Sequence, residues 1–165
     1  MRFSVIAAAQ TTDGGMGYRG HLPWSIKEDM QHFKKVTTTT SEPDMQNVVI
    51  MGKRTFESLH NKPLPNRYNI VLTSNNIEGI TTATTLANAL LLCPTNTQHI
   101  FVIGGARVYE EALRHHDCEY VYMTHVQQTQ MCDVFFPLAV LADRFEEQDR
   151  RYGLGVIFST YRRKN

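Results

Sequence analysis

The residues best suited to chemistry gather in four short stretches of the chain. The first is Leu22-Pro23-Trp24-Ser25-Ile26-Lys27-Glu28-Asp29-Met30-Gln31-His32-Phe33. Ser25 and Glu28 have the spacing of a capping box, which predicts a helix starting there. At about 100° per residue, Ile26, Met30 and Phe33 share one side of that helix, its expected buried face, and Glu28 points to water. Asp29 lies roughly 60–70° from the centre of the apolar stripe, at its edge. A carboxylate there must find partners or shift its pKa, so it reads either as an acid in a pocket or as an Asp bonded to nearby backbone. The second stretch, Gly52-Lys53-Arg54-Thr55, is no P-loop, because position 47 is Asn where that motif needs Gly. It still sets two cations beside a helix N-terminus, whose free N–H groups attract phosphate. The third, Gly104-Gly105-Ala106-Arg107, joins a strand to a helix in the manner of a dinucleotide-phosphate site, without the full G-x-G-x-x-G spacing. The fourth, Asp13 to Gly20, has four glycines in eight residues and runs into the Asp29 helix, which suggests a lid rather than a plain turn.

These stretches need a frame. Buried strands are expected at 3–9, 47–51, 68–74, 99–103 and 120–126. Helices are expected from Gly52 to Leu59, weakly from Leu86 to Leu92, and from Val108 to Leu113. Thr37 to Asp44 is polar without period and reads as a surface loop, and Asn61 to Arg67 as a proline-stiffened turn. Phe145 to Arg151 and Val156 to Tyr161, split by Gly153-Leu154-Gly155, read as an antiparallel hairpin. Strands separated by helices imply an α/β fold of three layers, one domain over residues 1–165, with a mostly parallel central sheet and an antiparallel C-terminal hairpin. Ligands sit at the carboxyl ends of such strands, so the loops after Ala9, Met51, Leu72 and Ile103 should share one cleft.

Composition narrows the partners. The formal net charge is +1, which gives no reason to expect nucleic acid or a charged membrane, and the short basic clusters at 150–151 and 162–164 read as solvated surface. The three cysteines, Cys93, Cys118 and Cys132, are odd in number and widely spaced, as reduced thiols of a cytoplasmic protein would be. His115 and His116 are adjacent, should diverge on a helix, and form no metal set. No apolar run is long enough to span a membrane, no signal peptide is expected, and nothing suggests more than a monomer.

Taken in order, several motifs resemble the dihydrofolate reductase family over nearly the full length. They are Gly17 with Leu22-Pro23-Trp24, Asp29 with Phe33, residues 49–55, Leu64-Pro65-Asn66-Arg67, residues 102–109, Thr124-His125, and Asp133 followed by Phe135-Phe136-Pro137. The resemblance implies NADPH-dependent reduction of dihydrofolate to tetrahydrofolate, in support of one-carbon and thymidylate metabolism, with antifolate inhibitors as further ligands. It implies that Asp29 hydrogen-bonds the pterin, that Thr124 orients it, and that Trp24 holds a water nearby, with Leu22 and Tyr109 also at the catalytic centre. Ile6, Ala8, Phe33, Leu64 and Ile103 would line the substrate pocket, and Arg67 would grip the substrate's carboxylate. Ala8, Met16, Gly17, Lys53, Arg54, Thr55, Leu72, Thr73, Ser74, Ile103 and the run Gly104, Gly105, Ala106, Arg107, Val108, Tyr109 would meet the cofactor. A cis Gly104–Gly105 peptide is also implied. Ile6, Phe33 and Ile103 would be core residues in any α/β domain, and Arg67 without the resemblance is a surface arginine after a turn. Phe56, Asn66 and Val134 depart from the family's usual Trp, Gly and Thr; Asn tolerates positive φ, so the Asn66 turn can survive. Two other readings are compatible with parts of the chain. The related reductase domain of riboflavin biosynthesis would need neither Asp29 nor Arg67, and a nucleotide-binding module without catalysis would need no acid.

Overall fold

Val48, Val49, Ile50 and Met51 have no exposed surface at all, the state of a strand covered on both faces. The computed structural model describes residues 1–165 and builds outward from that strand. In chain order the elements are β1 (Phe3–Gln10), β2 (Gly15–Gly17), α1 (Lys27–Thr38), β3 (Gln46–Gly52), α2 (Lys53–Ser58), β4 (Tyr68–Leu72), β5 (Thr81–Ala83), α3 (Leu86–Leu91), β6 (Thr97–Val102), α4 (Ala106–Arg114), β7 (Cys118–Val126), β8 (Val134–Phe135), α5 (Leu138–Arg144), β9 (Phe145–Tyr152) and β10 (Val156–Arg163). Eight strands form one sheet in the order β5-β4-β3-β6-β1-β7-β10-β9. Every pair from β5 to β7 is parallel, and β10 then pairs antiparallel with both β7 and β9. The mostly parallel sheet with its antiparallel C-terminal hairpin is therefore present.

Alternation along the strands separates two cores. Val5, Ala7, Val48 and Ile50 face α3, α4 and α5, through Leu86, Ala112, Leu113 and Leu141. Ile6, Val49, Met51, Phe101 and Ile103 face the side of α1 and α2, through Phe33, Val36 and Phe56. The three layers follow from this split.

Several expectations are corrected. The capping box at Ser25 does not form: α1 starts at Lys27, and Ile26 at its N-cap makes no side-chain cap bond. Glu28 reaches instead to the β9–β10 turn, where its Oε1 accepts from the Leu154 N–H at 3.2 Å and its Oε2 lies 3.8 Å from Arg151. It is therefore half-buried and not simply in water. Met30 is 62% exposed, so the inward stripe of α1 is Asp29, Phe33, Val36 and Thr37. These recur at the i, i+4, i+7, i+8 spacing, which places Asp29 within the stripe rather than at its edge. Thr37 and Thr38 belong to the helix and not to the following loop; their hydroxyls donate to the carbonyls of Phe33 and Lys34 at 2.7 and 2.6 Å. α4 starts at Ala106, two residues earlier than expected, and β2, β5, β8 and α5 were not anticipated. His115 and His116 do not diverge, because α4 ends at Arg114. Their rings stack with centroids 4.8 Å apart beside Asp117, and His115 Nδ1 accepts the Asp117 N–H at 3.0 Å.

Candidate active site

Helix α1 carries the candidate acid. Asp29 is half-buried in its first turn and takes part in no ion pair. Burial raises its pKa by disfavouring the carboxylate, and the Thr124 hydroxyl, its hydrogen-bonding neighbour on β7, acts in the opposite sense. Ala8 pairs with Thr124 across β1 and β7. Tyr109 is buried within electrostatic range of Asp29, and its hydroxyl donates to the Ile6 carbonyl at 2.8 Å. Burial, and to a lesser degree Asp29, push the Tyr109 pKa up, which keeps the phenol neutral. One turn on from Asp29, His32 lies against the Phe158 ring with centroids 4.3 Å apart, its pKa lowered first by burial and then by Arg151 and Lys35.

Trp24 packs with Val126, Val156 and Phe158, and Ala8, Met16 and Ile26 lean on the same cluster. Its indole Nε1–H is buried with no protein acceptor, which leaves that donor for a water or ligand. Leu22 and Met30 are large apolar side chains, 63% and 62% exposed, on the loop before α1 and on its first turn. Ile6 and Ile103 are buried in one hydrophobic cluster, against which Phe33 and Leu64 pack.

At the far end of α1, Thr37 is fully buried and its Oγ1 accepts from Arg67 Nη1 at 2.9 Å. Arg67 Nε donates to the Pro65 carbonyl at 2.9 Å, and burial lowers the guanidinium's pKa. This is a fixed arginine, not a free surface one. The turn that delivers it needs Asn66 at φ 64° and is tied by Asn69, whose side chain bonds Leu64 N, Leu64 O and Arg67 O, each at 2.9 Å. Thr37 and Asn69 are thus site-building residues with no chemical signature in the sequence. Thr37 follows Asp29 by eight positions on the helix, about 12 Å along the axis.

The glycine segments converge as well. Gly52 N donates to the Gly104 carbonyl at 2.8 Å, joining the ends of β3 and β6. The Gly104–Gly105 peptide is cis, as the family resemblance implied. Thr55 Oγ1 would lie 3.5 Å from a Cβ at Gly105 and 3.3 Å from one at Gly104, and Val108 would face one at Gly52. Ala106 and Val108 lie in the first turn of α4, and Arg107 is exposed there. Lys53 and Arg54 are exposed at the start of α2 without any carboxylate partner. Leu72 ends β4; Thr73 N bonds the Ala83 carbonyl at 2.9 Å, and Thr73 and Ser74 line an open cavity of about 440 Å³ together with Thr84. Met16 and Gly17 lie in the glycine loop, where β2 pairs with β8.

The model of one family, dihydrofolate reductase, matches residues 2–163. The chain belongs to the dihydrofolate reductase family. A dihydrofolate reductase of Drosophila melanogaster is 36% identical over 172 residues, covering 94% of this chain and 90% of that protein. One of Heliothis virescens is 37% identical and covers 83% of this chain and 80% of the relative. A bifunctional dihydrofolate reductase-thymidylate synthase of Paramecium tetraurelia is 40% identical over 81% of this chain, and the chain spans 28% of that relative's length. The α/β architecture described above is the dihydrofolate reductase fold. In that family's terms the three departures are placed plainly: Phe56 is buried in the α2-side core, Asn66 holds its positive φ, and Val134 faces Gly17 across β2 and β8.

Proposed function

We propose that this chain reduces 7,8-dihydrofolate to 5,6,7,8-tetrahydrofolate with NADPH. The observation that carries the reading is the polarity of α1. It presents a carboxylate without a cationic partner at one end and a pinned arginine at the other, with Met30 and Phe33 between them. A pterin with an apolar ring and a terminal carboxylate matches that order and the roughly 12 Å span.

NADPH fits the residues present. The backbone at Gly105 is bare, since a Cβ there would meet only Thr55 Oγ1 at 3.5 Å, and Lys53 and Arg54 are free to take the phosphate that NADH lacks. When bound, NADPH supplies the hydride. Asp29 holds the pterin's amino group and ring nitrogen and stabilises the protonated ring. Thr124 orients the carboxylate, and the unpartnered Trp24 N–H steadies a water on the route of the proton. Met30, Phe33, Leu64 and Ile103 exclude bulk water from the rings, and Arg67 takes the carboxylate. The same reading has a cytoplasmic monomer, for which the three unpaired thiols are support, with antifolates competing at the Asp29 end of the cleft.

Oxidation of NADPH on addition of dihydrofolate is the test, with the ribosyl-pyrimidine intermediate of riboflavin biosynthesis as control. Turnover of the control in preference to dihydrofolate would overturn the reading.

A further inference from the structure

Gln10 ends β1, immediately before the glycine loop, and has no exposed surface. Its Oε1 accepts from Gln130 N at 2.6 Å, and its Nε2 donates to the Gln130 carbonyl at 3.1 Å and to Asp13 Oδ1 at 3.1 Å. Asp13 Oδ1 also accepts from Gly15 N at 2.8 Å, and the Gln10 carbonyl accepts from Gly14 N at 2.9 Å. One buried carboxamide thus ties the start of the glycine loop to the segment that follows β7. Beyond this knot the same two segments stay in contact to Arg19. Phe136 N donates to the Gly14 carbonyl and Asp133 N to the Gly17 carbonyl, both at 2.8 Å, and Arg19 N donates to Asp133 Oδ2 at 3.0 Å. Those outer bonds use backbone groups or an exposed carboxylate. Gln10 is the fully buried side chain that bonds both segments.

Packing alone does not call for an amide at this position. The β1 residues Ile6 and Ala8, which share the face of the strand that Gln10 belongs to, are apolar, and an apolar side chain would continue the pattern. A carboxamide is the neutral group that both gives and takes hydrogen bonds; Glu has no donor when ionised, and Leu or Met has neither role. Each buried bond it makes is worth more than the same bond in water.

We propose that Gln10 is the positioning residue that pins the 14–19 loop to the segment after β7, and that, through that loop's place beside the cofactor in the proposed reaction, it sets the rate of hydride transfer. The proposal rests on the dihydrofolate reductase reading for the second clause. Asp13 and Gln130 are exposed, so when Gln10 is lost water can satisfy them, and the loop opens while the sheet stays folded.

The test compares wild type with Gln10→Met, close in length and apolar, and with Asp13→Ala, a surface change that removes one arm of the knot. Amide exchange at 14–19 should quicken about tenfold or more in Gln10→Met and by less in Asp13→Ala, since each lost bond accounts for up to about tenfold. Exchange in β3 and β6 should stay within about twofold of wild type. Single-turnover hydride transfer should fall by a similar factor, with dihydrofolate affinity at the distant Arg67 end unchanged. Gln10→Glu should act like Gln10→Met, and adding Asp13→Asn should recover part of the rate, because the new amide can donate to the new carboxylate. The proposal is overturned by unchanged exchange at 14–19, by equal loss of protection in β3 and β6, by faster loop exchange with an unchanged transfer rate, or by no recovery in the double variant. Inactivity of the wild type with dihydrofolate would sink the functional reading separately, and the exchange comparison would still decide whether Gln10 holds the loop.

Discussion

Asp29→Asn separates the acid's chemistry from its place in the fold. The substitution keeps the side-chain shape and removes the charge that would stabilise a protonated pterin. No Lys, Arg or His forms an ion pair with Asp29, and its polar neighbour is the Thr124 hydroxyl, so nothing nearby can replace the carboxylate. A positioned acid or base contributes about two to four decades of rate, and with no substitute at hand we expect about three, near 4 kcal/mol of barrier at neutral pH. The loss should shrink in acid, where solvent supplies protonated substrate. Stability should move the other way. Burial raises the Asp29 pKa above its unfolded value, so its ionisation costs the folded state. Below the unfolded pKa both proteins carry a neutral side chain there and the difference is small. As pH rises through the folded pKa only the wild type bears the cost, so the variant should gain relative stability towards neutrality. Single-turnover rates and denaturation midpoints across the same pH series give both curves. A rate deficit independent of pH would show that Asp29 only positions the substrate. A variant less stable than wild type at neutral pH would show that the carboxylate serves the fold.

Arg67→Lys cannot bond Pro65 and Thr37 and still present a planar fork, so the KM for dihydrofolate should rise about ten- to a hundredfold with kcat nearly unchanged. Thr37→Val frees the guanidinium without removing it, so a smaller rise in the same constant is expected; an unchanged KM would mean the tether is incidental. Replacing Lys53 and Arg54 with Ala should weaken NADPH by about 1–3 kcal/mol per lost charged bond and leave NADH nearly as it was. Equal losses in a titration would put the phosphate elsewhere. Tyr109→Phe strands the buried Ile6 carbonyl and should cost about 1–3 kcal/mol in denaturant unfolding, without shifting the pH profile of turnover. A shifted profile would restore the phenol as an acid.

The sequence by itself determined the parts of this protein that depend on local pattern. Unbroken apolar runs such as Val48 to Met51 can only be strands covered on both faces, and β1, β3, β4, β6, β7 and the C-terminal hairpin all lie where such runs or their alternation placed them. The glycine-bounded turns, the placing of Asp29, Lys53 and Arg54 on helix first turns, and the proline-stiffened turn that carries Arg67 just before β4 were legible for the same reason. Tertiary structure decided what depends on partners distant in sequence. Glu28 leaves its capping box because a hairpin turn 126 residues away offers it an amide. Met30 lies exposed although its period is that of a core residue, because periodicity gives the angle of a side chain and not what stands opposite it. Thr37, buried at the start of a threonine run that reads as loop, becomes the anchor of Arg67 from 30 residues off. Gln10 falls just outside the strand expected at 3–9, and nothing in its own surroundings announces Gln130, 120 residues later, as the partner of its amide. A hydrogen bond leaves no trace in the spacing of either partner, so the fold and Asp29 as a candidate acid could be read from the chain, while the bonds that hold the candidate site's residues in place could not.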